Sequence, residues 1–450
     1  MADRTLLRVA AAAGALTFVL AGCGSSDNAA APAASSAAPS AAATSSAAPG
    51  TDTAANKPKC TPEEAKKGAT PSTKPLRVGT LLPETGSLAF LGPPEIAGVQ
   101  LAANDVNAAG GVLGKPIVVD AGDSGDTTTD TANQTVDREI AAGDQVIIGA
   151  ASSSVSLKVI DKIVNAGVIE FSPANTSDQF TCYKDKGLYF RTAPADTLQA
   201  RALAQIMGQD GIQRLSILAL NDPYGTGLAE NISKDLQSAG LKADQIQTII
   251  YDPNAASFNA EVDKVKQFNP DGIAVIGFDE SKKIITRMKE VGIGPDKKSV
   301  YGSDGNMGNA LGEGLPAGLL NGMKGTTPLT DTSADFKDRL KKLDPKLVDF
   351  NYAGESYDAV VITALGAEVA KSTAGVDMAS EMNGVTKDGT KCKTYAECLP
   401  LIKAGTNIDY DGVTGTLDFT SAGEPGKGSY GVLTFGPDNK LGTPTYIIAG

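Results

Sequence analysis

Apolar and polar positions alternate along the chain in two distinct ways. Short, nearly continuous apolar runs are typical of strands buried on both faces, and longer segments with apolar residues every three or four positions are typical of amphipathic helices. Between residues 77 and 171 the two patterns take turns. The predicted strands are 77–82, 116–120, 145–149 and 168–171, and the predicted helices are 96–108, 129–142 and 155–166.

The same alternation begins again after residue 214. Here we predict strands at 215–220, 247–251 and 272–277, a turn at 221–225, and helices at 228–239, 258–268 and 281–291. Strands that alternate with helices indicate parallel sheets with helices on both faces. The predicted fold class is therefore α/β with two Rossmann-like lobes, and the space between two such units is a natural site for a ligand.

The composition narrows both the partners and the chemistry. The 52 acidic residues exceed the 40 basic ones and leave a formal charge of −12, which opposes binding to nucleic acid. The chain has no His, which excludes His-based nucleophile pairs, imidazole zinc sites and the commonest general base. A small ligand is the favoured partner, and carboxylate-based hydrolysis remains as an enzymatic alternative.

The first 23 residues have the features of an export signal. Arg4 and Arg8 precede an apolar run over 9–20 that is too short to span a bilayer. The run ends in the letters LAGC, which resemble a bacterial lipobox, in which the cysteine, here Cys23, is lipidated and becomes the new N-terminus. An ordinary secretory signal with a chance cysteine is the alternative. Lipidated Cys23 would anchor the protein outside the cytoplasmic membrane.

Four cysteines remain if Cys23 carries lipid. An even number in an exported protein favours disulfides over free thiols, and four cysteines allow three connectivities. Cys392 and Cys398 are close in the sequence, which favours a bond between them. Cys60 would then pair with Cys182.

Polar loops follow two neighbouring predicted strands. The stretch IIGAASSSVS places Ser152 to Ser154 at the start of a predicted helix, where free N–H groups and the positive end of the helix dipole favour an anion. The alternative is that these serines only cap the helix. The next strand leads into FSPANTS, which has the same chemistry and includes Thr176. Two such strand ends predict one crevice in which Ser153 and Thr176 hold a carboxylate.

A third loop, in the second unit, carries an acid. The letters YGSDGN follow a predicted strand end and place Asp304 among glycines. A plain turn aspartate is the alternative. An acid opposite an anion-binding crevice suits an ammonium group, and a carboxylate held by one lobe with an ammonium held by the other describes an α-amino acid.

With these residues in place, the chain from Leu76 to its C-terminus resembles the leucine/isoleucine/valine-binding family, the substrate-binding proteins of branched-chain amino acid ABC transporters. The resemblance is carried by several motifs in a fixed order, and this order is more specific than any one motif. The motifs are VGTLLPETGSLAFLG, AGVQLAANDVNAAGGVLGKPI, IIGAASSSVS, EFSPANTSD, YFRTAPAD, NDPYGTGLAE, YGSDG and YAGESYDAV.

The resemblance implies a set of ligand contacts in the cleft of a type I periplasmic-binding-protein fold. By this resemblance the Ser153 hydroxyl binds the ligand carboxylate, and Asp304 binds the ligand ammonium. Leu91 and Gly277 stand where some relatives have an aromatic residue, so the side-chain pocket departs from the family pattern there. The implied ligand-binding residues are Phe90, Leu91, Ala151, Ser153, Ala174, Thr176, Tyr224, Phe278 and Asp304.

The resemblance also implies how the chain is divided. In this family the chain crosses between the lobes three times, and here the crossings fall near 192–195, 326–328 and 418–424. They make a three-strand hinge. The Ala, Ser and Pro-rich residues that follow Cys23 predict a flexible stalk. The predicted divisions are a signal at 1–23, a stalk at 24–75, lobe 1 at 76–193 and 328–419, and lobe 2 at 194–327 and 420–450, with late strands at 430–435 and 445–448.

The predicted function is that of an extracytoplasmic, lipid-anchored receptor that captures an aliphatic amino acid and delivers it to the permease of an ABC importer. We expect a monomer that is not an enzyme and needs no metal or cofactor. The segment 110–115 has glycines like those of a phosphate loop, but Ala109 and Pro116 replace residues that such a loop requires. A sensor for an amide or another small solute is the alternative function.

Overall fold

The computed structural model describes residues 60–68 and 70–450. Its first sheet has five parallel strands in the order β2-β1-β3-β4-β5. The elements of this first segment are β1 Arg77–Leu81, α1 Gly92–Ala108, β2 Val118–Asp120, α2 Thr131–Ala142, β3 Val146–Gly149, α3 Ser153–Asn165, β4 Ile169–Ser172 and β5 Tyr189–Arg191.

The second sheet has seven strands in the order β15-β14-β10-β9-β8-β6-β7. Five of them are parallel, and β14 and β15 add an antiparallel edge. The elements are α4 Asp196–Gln209, β6 Leu215–Leu220, α5 Pro223–Ser238, β7 Ile246–Tyr251, α6 Asn259–Phe268, β8 Gly272–Ile276, α7 Ser281–Glu290, β9 Ser299–Gly302, β10 Lys324–Pro328, β14 Gly428–Thr434 and β15 Thr445–Ala449, with short 3₁₀ turns at Ala243–Gln245 and Asn309–Gly312.

A segment between β10 and β14 returns to the first sheet. Its helix α9 packs against α1, α10 and α11, and α9 is buried on nearly every side. A helix surrounded in this way has no side that faces solvent, which explains why it shows no amphipathic pattern. The elements are α8 Ala334–Leu343, α9 Ala353–Ala370, α10 Gly375–Met382, β11 Thr390–Cys392, α11 Tyr395–Lys403, β12 Ile408–Gly412 and β13 Gly415–Thr416.

We call the part built on β1–β5 and α8–β13 lobe 1, and the part built on α4–β10, β14 and β15 lobe 2. The predicted α/β fold with two lobes of parallel sheet is confirmed. The chain passes between the lobes after β5, after β10 and after β13. The second crossing was predicted at 326–328, but these residues are the end of β10 and pair with β14, so the crossing begins after Pro328.

Most predicted strands and helices are confirmed to within a few residues, and the main error lies after β6. The segment 221–225 was predicted as a turn, with the helix from 228. In the structure α5 begins at Pro223, and the Asp222 side chain accepts a hydrogen bond from the Tyr224 N–H. Proline at the first helical position and aspartate before it form a favourable helix start, and this signal was read as a turn.

The described part of the predicted stalk lies along lobe 1. Cys60 is joined to Cys182, and the Gly68 N–H donates to Asp377 at 2.7 Å. Ser72 bonds to the loop between α9 and α10 through Ser372 and Thr373. Residues 60–68 and 70–75 are therefore held to the lobe, and the predicted stalk extends too far toward the C-terminus. The rest of the stalk, the signal and Cys23 lie outside the described residues.

The second disulfide, Cys392 to Cys398, links β11 to α11 in lobe 1. In the described ranges no single helix is long and apolar enough to cross a membrane. The bent pair α9 and α10 satisfies the length and composition together, with an angle of 103° between its helices. Both helices are largely buried in the core of lobe 1.

Candidate functional site

A small cavity lies between the lobes where the carboxyl ends of their parallel strands meet. It encloses about 10 Å³ and is lined by residues from both lobes. Eight of the nine predicted ligand-binding residues line it, and the ninth, Phe90, lines a larger cavity beside it. The lining of this inner cavity is Leu88, Leu91, Ala151, Ser152, Ser153, Ala174, Thr176, Tyr224, Phe278, Asp304, Gly305 and Tyr352.

In lobe 1, hydrogen bonds clamp the loop after β3 to the loop after β4. The Asn175 side-chain amide donates to the carbonyls of Ala150 and Ala151, at 3.0 Å each. The Ser172 hydroxyl donates to the Ala150 carbonyl at 2.6 Å. Tyr189 donates to the Asn175 side-chain oxygen and so fixes the orientation of its amide. The two polar loops are therefore a single rigid wall of the cavity.

Each serine after β3 has a different structural role. Ser152 is the N-cap of α3 and accepts from the Val155 N–H at 3.4 Å. Ser154 donates across the cleft to the Asp222 carboxylate of lobe 2. Ser156 accepts from the Ala150 N–H and supports the loop. Ser153 remains at the cavity wall, where its hydroxyl is a distant acceptor for the Ser177 N–H at 3.4 Å.

The loop after β4 is held by a buried arginine. Arg191 donates to the carbonyls of Asn175 and Ser177 at 3.2 and 2.9 Å, and it forms an ion pair with Glu424 of the third crossing. These two carbonyls flank Thr176, which places its side chain at the cavity. The Ala174 N–H already donates to the Ser172 hydroxyl, so the carbonyl is the backbone group that Ala174 can offer to a ligand.

Lobe 2 brings an acid to the opposite wall. Asp304 follows β9 and accepts hydrogen bonds from the hydroxyls of Tyr224 and Tyr352, both at 2.8 Å. The Tyr224 ring stacks on Phe278 with centroids 5.8 Å apart, which fixes the direction of its hydroxyl. Tyr352 comes from lobe 1, immediately before α9, so one of the two bonds to Asp304 joins the lobes.

Burial controls the protonation of this wall. Loss of hydration raises the pKa of Asp304, and the hydrogen bonds from Tyr352 and Tyr224 oppose that rise. Burial also raises the pKa of Tyr224 and Tyr352 well above the usual value, and the neighbouring Asp304 adds to this effect. Both tyrosines therefore stay neutral donors. A cation at the cavity would favour ionised Asp304.

A second acid lies beside this wall. Asp196, the first residue of α4, is fully buried, and its carboxylate lies beside the Thr176 side chain without a well-formed hydrogen bond. Burial raises the pKa of Asp196 well above the usual value, and Asp178 and Asp304 add to the rise. Its N–H donates to the Thr176 carbonyl at 2.7 Å. The wall is therefore rich in carboxyl groups, which favours a cationic group in the cavity.

The lobes are closed on one another in this structure. Besides the bond between Tyr352 and Asp304, Asn309 of lobe 2 donates to Asp349 of lobe 1, and Ser154 donates to Asp222. The inner cavity holds little more than a water molecule, so an amino acid enters only if the lobes move apart and close again.

An outer cavity of about 1050 Å³ adjoins the inner one, and Ser152, Phe278 and Gly305 line both. Phe90 lies here, with its ring so close to Gly308 of lobe 2 that a Cβ at Gly308 would clash with it. The predicted wall formed by Phe90 and Leu91 is thus divided between the two cavities.

Sequence reasoning gave no role to Leu88, Tyr352 or Asp196. Tyr352 lies within the motif YAGESYDAV, but 48 positions separate it from Asp304, and only the return of the chain to lobe 1 brings the two together. Its backbone adopts the left-handed conformation with φ of 60°, which costs about 1–2 kcal/mol for a non-glycine residue. Asp196 is the last residue of the motif YFRTAPAD, and its place in that motif was the signal that could have indicated a position at the site.

Among the described residues no group of three or more acidic or cysteine side chains is arranged to hold a metal ion. Two acids after β2, Asp123 and Asp126, illustrate the reason, and Asp126 accepts from the N–H and hydroxyl of Thr128. Asp123 accepts from the N–H groups of Glu84 and Thr85 and so closes the loop after β1. Its oxygens are thus used within the protein.

Comparison with known proteins identifies the family of this chain. The model of the periplasmic binding protein family matches residues 75–427. A Leu/Ile/Val-binding protein homolog 1 of Brucella suis is 28% identical over 312 residues, which are 68% of this chain and 81% of that protein. BasB of Halobacterium salinarum, a substrate-binding protein of a chemotactic signal transduction system, is 24% identical over 78% of this chain and 85% of its own length.

Solved structures share the fold. The branched-chain amino acid transporter substrate-binding protein LivJ of Streptococcus pneumoniae, in complex with isoleucine, has a TM-score of 0.68 at 22% identity and covers 83% of this chain and 100% of its own. A solute-binding protein of an ABC transporter from R. palustris, in complex with 4-hydroxybenzoate, has a TM-score of 0.67 at 14% identity over 83% of this chain and 96% of its own. The family model spans most of the chain, and this protein belongs to the periplasmic binding protein family.

Proposed function

We propose that this protein captures an aliphatic α-amino acid between its lobes and delivers it to the permease of an ABC importer. The main support for this proposal is that two walls of different chemistry meet at one cavity. Lobe 1 offers hydroxyl and backbone groups at the N-terminus of α3, and lobe 2 offers the buried Asp304. An amino acid zwitterion carries the complementary charges at a fixed separation.

The walls suggest how the ligand lies. Its carboxylate would be held by the hydroxyls of Ser153 and Thr176 and by the N–H groups of the first turn of α3. Its ammonium would be held by Asp304 and the carbonyl of Ala174, with Asp196 behind them. Its side chain would contact Leu88, Leu91 and Phe278, which are apolar and favour an aliphatic group.

Relatives support this ligand class by their names. Several Brucella proteins related over about two thirds of this chain are Leu/Ile/Val-binding protein homologs, and the structurally similar LivJ was solved with isoleucine. An aromatic acid such as 4-hydroxybenzoate has no ammonium group and would leave buried Asp304 without a charged partner.

The direct test is native mass spectrometry of protein purified without denaturation, followed by calorimetry with each of the common amino acids and with 4-hydroxybenzoate. We expect a branched-chain or another aliphatic amino acid to bind most tightly and to be released unchanged. Binding of 4-hydroxybenzoate with no binding of any amino acid would overturn the proposed ligand class. Release of a cleaved product would indicate an enzyme instead.

Anchoring at the membrane is a separate part of the proposal. The LAGC motif supports lipidation of Cys23, and the bond between Cys60 and Cys182 would then attach the tether to lobe 1. Metabolic labelling with a fatty acid should mark the wild-type protein. The Cys23→Ser variant should lose the label and be released or remain unprocessed, and continued labelling would contradict the lipid site.

A sensor is the second candidate function. It is favoured by the relationship to BasB, whose name places it in chemotactic signal transduction. Deletion of the protein distinguishes the two functions. Loss of uptake of the bound amino acid would support transport, whereas unchanged uptake with a lost response to that amino acid would support sensing.

A further inference from the structure

A second cavity lies at the hinge and has no role in the proposed capture of an amino acid. It has a volume of about 430 Å³, within the range of small-molecule sites. Each of the three crossings contributes to its lining, with Thr192 and Pro194 from the first, Thr330 from the second beside Pro328 at the end of β10, and Leu417, Asp418, Pro425 and Lys427 from the third. We call it the hinge cavity.

The crossings separate the hinge cavity from the ligand cleft. On the first crossing, Pro194 lines the hinge cavity, whereas Asp196, two residues later, lies beside Asp304 at the cleft. At the start of α9, Tyr352 lines the cleft and Glu355, one turn later, lines the hinge cavity. The two cavities therefore lie on opposite sides of the hinge.

The lining combines apolar surfaces with one buried acid. The rings of Pro194, Pro328 and Pro425 and the side chain of Ile448 present apolar surface. Glu355 is 94% buried, and it forms no ion pair among the described residues, whereas Asp418 and Lys427 are exposed at the cavity.

The electrostatic surroundings of Glu355 are acidic. Burial raises its pKa to about 8, and Asp358 on the same helix adds to the rise. Glu95 of α1 is fully buried nearby, and neither of its carboxylate oxygens has a hydrogen-bond partner among the described residues. A cation in the hinge cavity would favour ionised Glu355, while an anion would add to the repulsion.

We propose that the hinge cavity is a second binding site, which takes a small organic ammonium ion with a compact apolar body. The ammonium group pairs with Glu355, and the apolar body packs on the proline rings and Ile448. The acidic lining argues against a carboxylate ligand, and the apolar surface argues against a bare metal ion.

The position of the cavity gives the site a regulatory role. When two lobes rotate about the crossings, one side of the hinge opens as the other narrows. The cavity is open here while the cleft is closed, so an occupant stabilises the closed state. The ammonium ion and the amino acid then strengthen each other's binding by the same factor.

The binding test titrates the mature protein with cyclohexylammonium, using cyclohexanol and cyclohexanecarboxylate as matched probes of similar size. We expect the ammonium to bind at least about tenfold more tightly than the alcohol, since a charged pairing is stronger than a neutral one. In Glu355→Gln this preference should disappear. Equal binding of all three probes to the wild type, or an unchanged preference in the variant, overturns the proposal.

A pair of surface variants keeps the test valid if Glu355→Gln does not fold. Ile448 at the cavity and Val348 outside it are both apolar and exposed, at 76% and 72%. Ile448→Ser should weaken cyclohexylammonium binding by about threefold or more through lost apolar contact, and Val348→Ser should leave it unchanged. Equal effects of the two substitutions would place the probe elsewhere and overturn the proposal.

The regulatory step is tested by measuring leucine affinity with and without saturating cyclohexylammonium. We expect leucine to bind about fivefold more tightly in its presence, and this gain should be absent in Glu355→Gln. Weaker or unchanged leucine binding overturns the coupling. If leucine does not bind at all, the proposed capture of leucine fails, while the direct titrations still decide whether the hinge site exists.

Discussion

Lobe 1 and lobe 2 face the inner cavity with different chemistry. The lobe 1 wall consists of hydroxyls and backbone groups that are held by bonds within lobe 1, such as those from Asn175 to the loop after β3. The lobe 2 wall consists of a carboxylate, Asp304, which receives one bond from its own lobe through Tyr224 and one from lobe 1 through Tyr352.

The difference shows which wall is complete before closure. The lobe 1 wall is held mainly by bonds within lobe 1, and its supports from outside, the Asp196 N–H and Glu424, lie beside the crossings. An open protein could therefore still present this wall to the proposed carboxylate. The lobe 2 wall gains Tyr352 only when the lobes meet, so closure would be linked to recognition of the proposed ammonium. We infer that lobe 1 receives the ligand and that lobe 2 retains it.

Removal of the charge on the lobe 2 wall should have the largest effect. Asp304→Asn keeps the size of the side chain but leaves the ligand ammonium without a charged partner, which should cost about 2–5 kcal/mol of binding free energy. Calorimetry should show a loss of affinity well above tenfold. Asp279→Asn, an exposed acid of the outer cavity, is the matched control and should bind as the wild type does. Wild-type affinity in Asp304→Asn would contradict the zwitterion model.

Lowering the pH should weaken ligand binding, because it protonates Asp304 in the lobe 2 wall. Burial raises the pKa of Asp304, and protonated Asp304 cannot pair with an ammonium, so affinity should fall as pH falls through that pKa. Below it, the loss should approach about tenfold per pH unit. Calorimetry between pH 8 and 4, with melting curves to confirm folding, measures the profile. In Asp304→Asn this dependence should vanish, and a flat profile in the folded wild type would refute the assignment.

The bond between the lobes should act on release of the ligand. Tyr352→Phe removes the hydroxyl that reaches Asp304 from lobe 1, and hydrogen bonds to charged groups contribute about 1.5–3 kcal/mol. We expect binding to weaken by at least about tenfold, mostly through faster dissociation in stopped-flow measurements, because the bond exists in the closed state. A slower association with unchanged dissociation would mean that Tyr352 acts before closure.

The lobe 1 wall should respond least to a single substitution, because several neutral groups share the carboxylate. Ser153→Ala should cost about 1 kcal/mol of binding free energy, or about fivefold in affinity, with little change in melting temperature. Ser152→Ala should do the reverse, since Ser152 caps α3 and the loss of a cap costs about 1 kcal/mol of stability. If both variants change only stability, the serines cap the helix and do not bind a ligand.

The sequence allowed much of this site to be predicted, and the misses have a common cause. Ser153 and Thr176 follow neighbouring parallel strands of the first sheet, and Asp304 follows a strand of the second. Because ligands bind at the carboxyl ends of parallel strands, these local patterns indicate the cleft side of each lobe. Tyr352 follows an irregular segment after α8 and reaches the cavity only because α9 packs on α1. No local periodicity marks such a residue.

Errors at the boundaries have local causes as well. The start of α5 at Pro223 was missed because Asp and Pro before Gly are typical of turns and also of helix starts, and only the packing of the helix distinguishes the two. The described part of the stalk was placed outside the fold because its composition is polar. A disulfide and hydrogen bonds to distant residues hold it on lobe 1, where little apolar burial is required.

Local sequence is enough to specify the alternation of strands and helices and the polar loops at the strand ends, because both depend on neighbours within a few residues. Three other features depend on packing between distant segments: which loops face each other, the bond from Tyr352 to Asp304, and the hinge cavity lined by Glu355. These features depend on contacts between residues far apart in the chain. Their positions follow from how the lobes pack and close. A local pattern of apolar and polar residues carries no information about contacts between such distant residues.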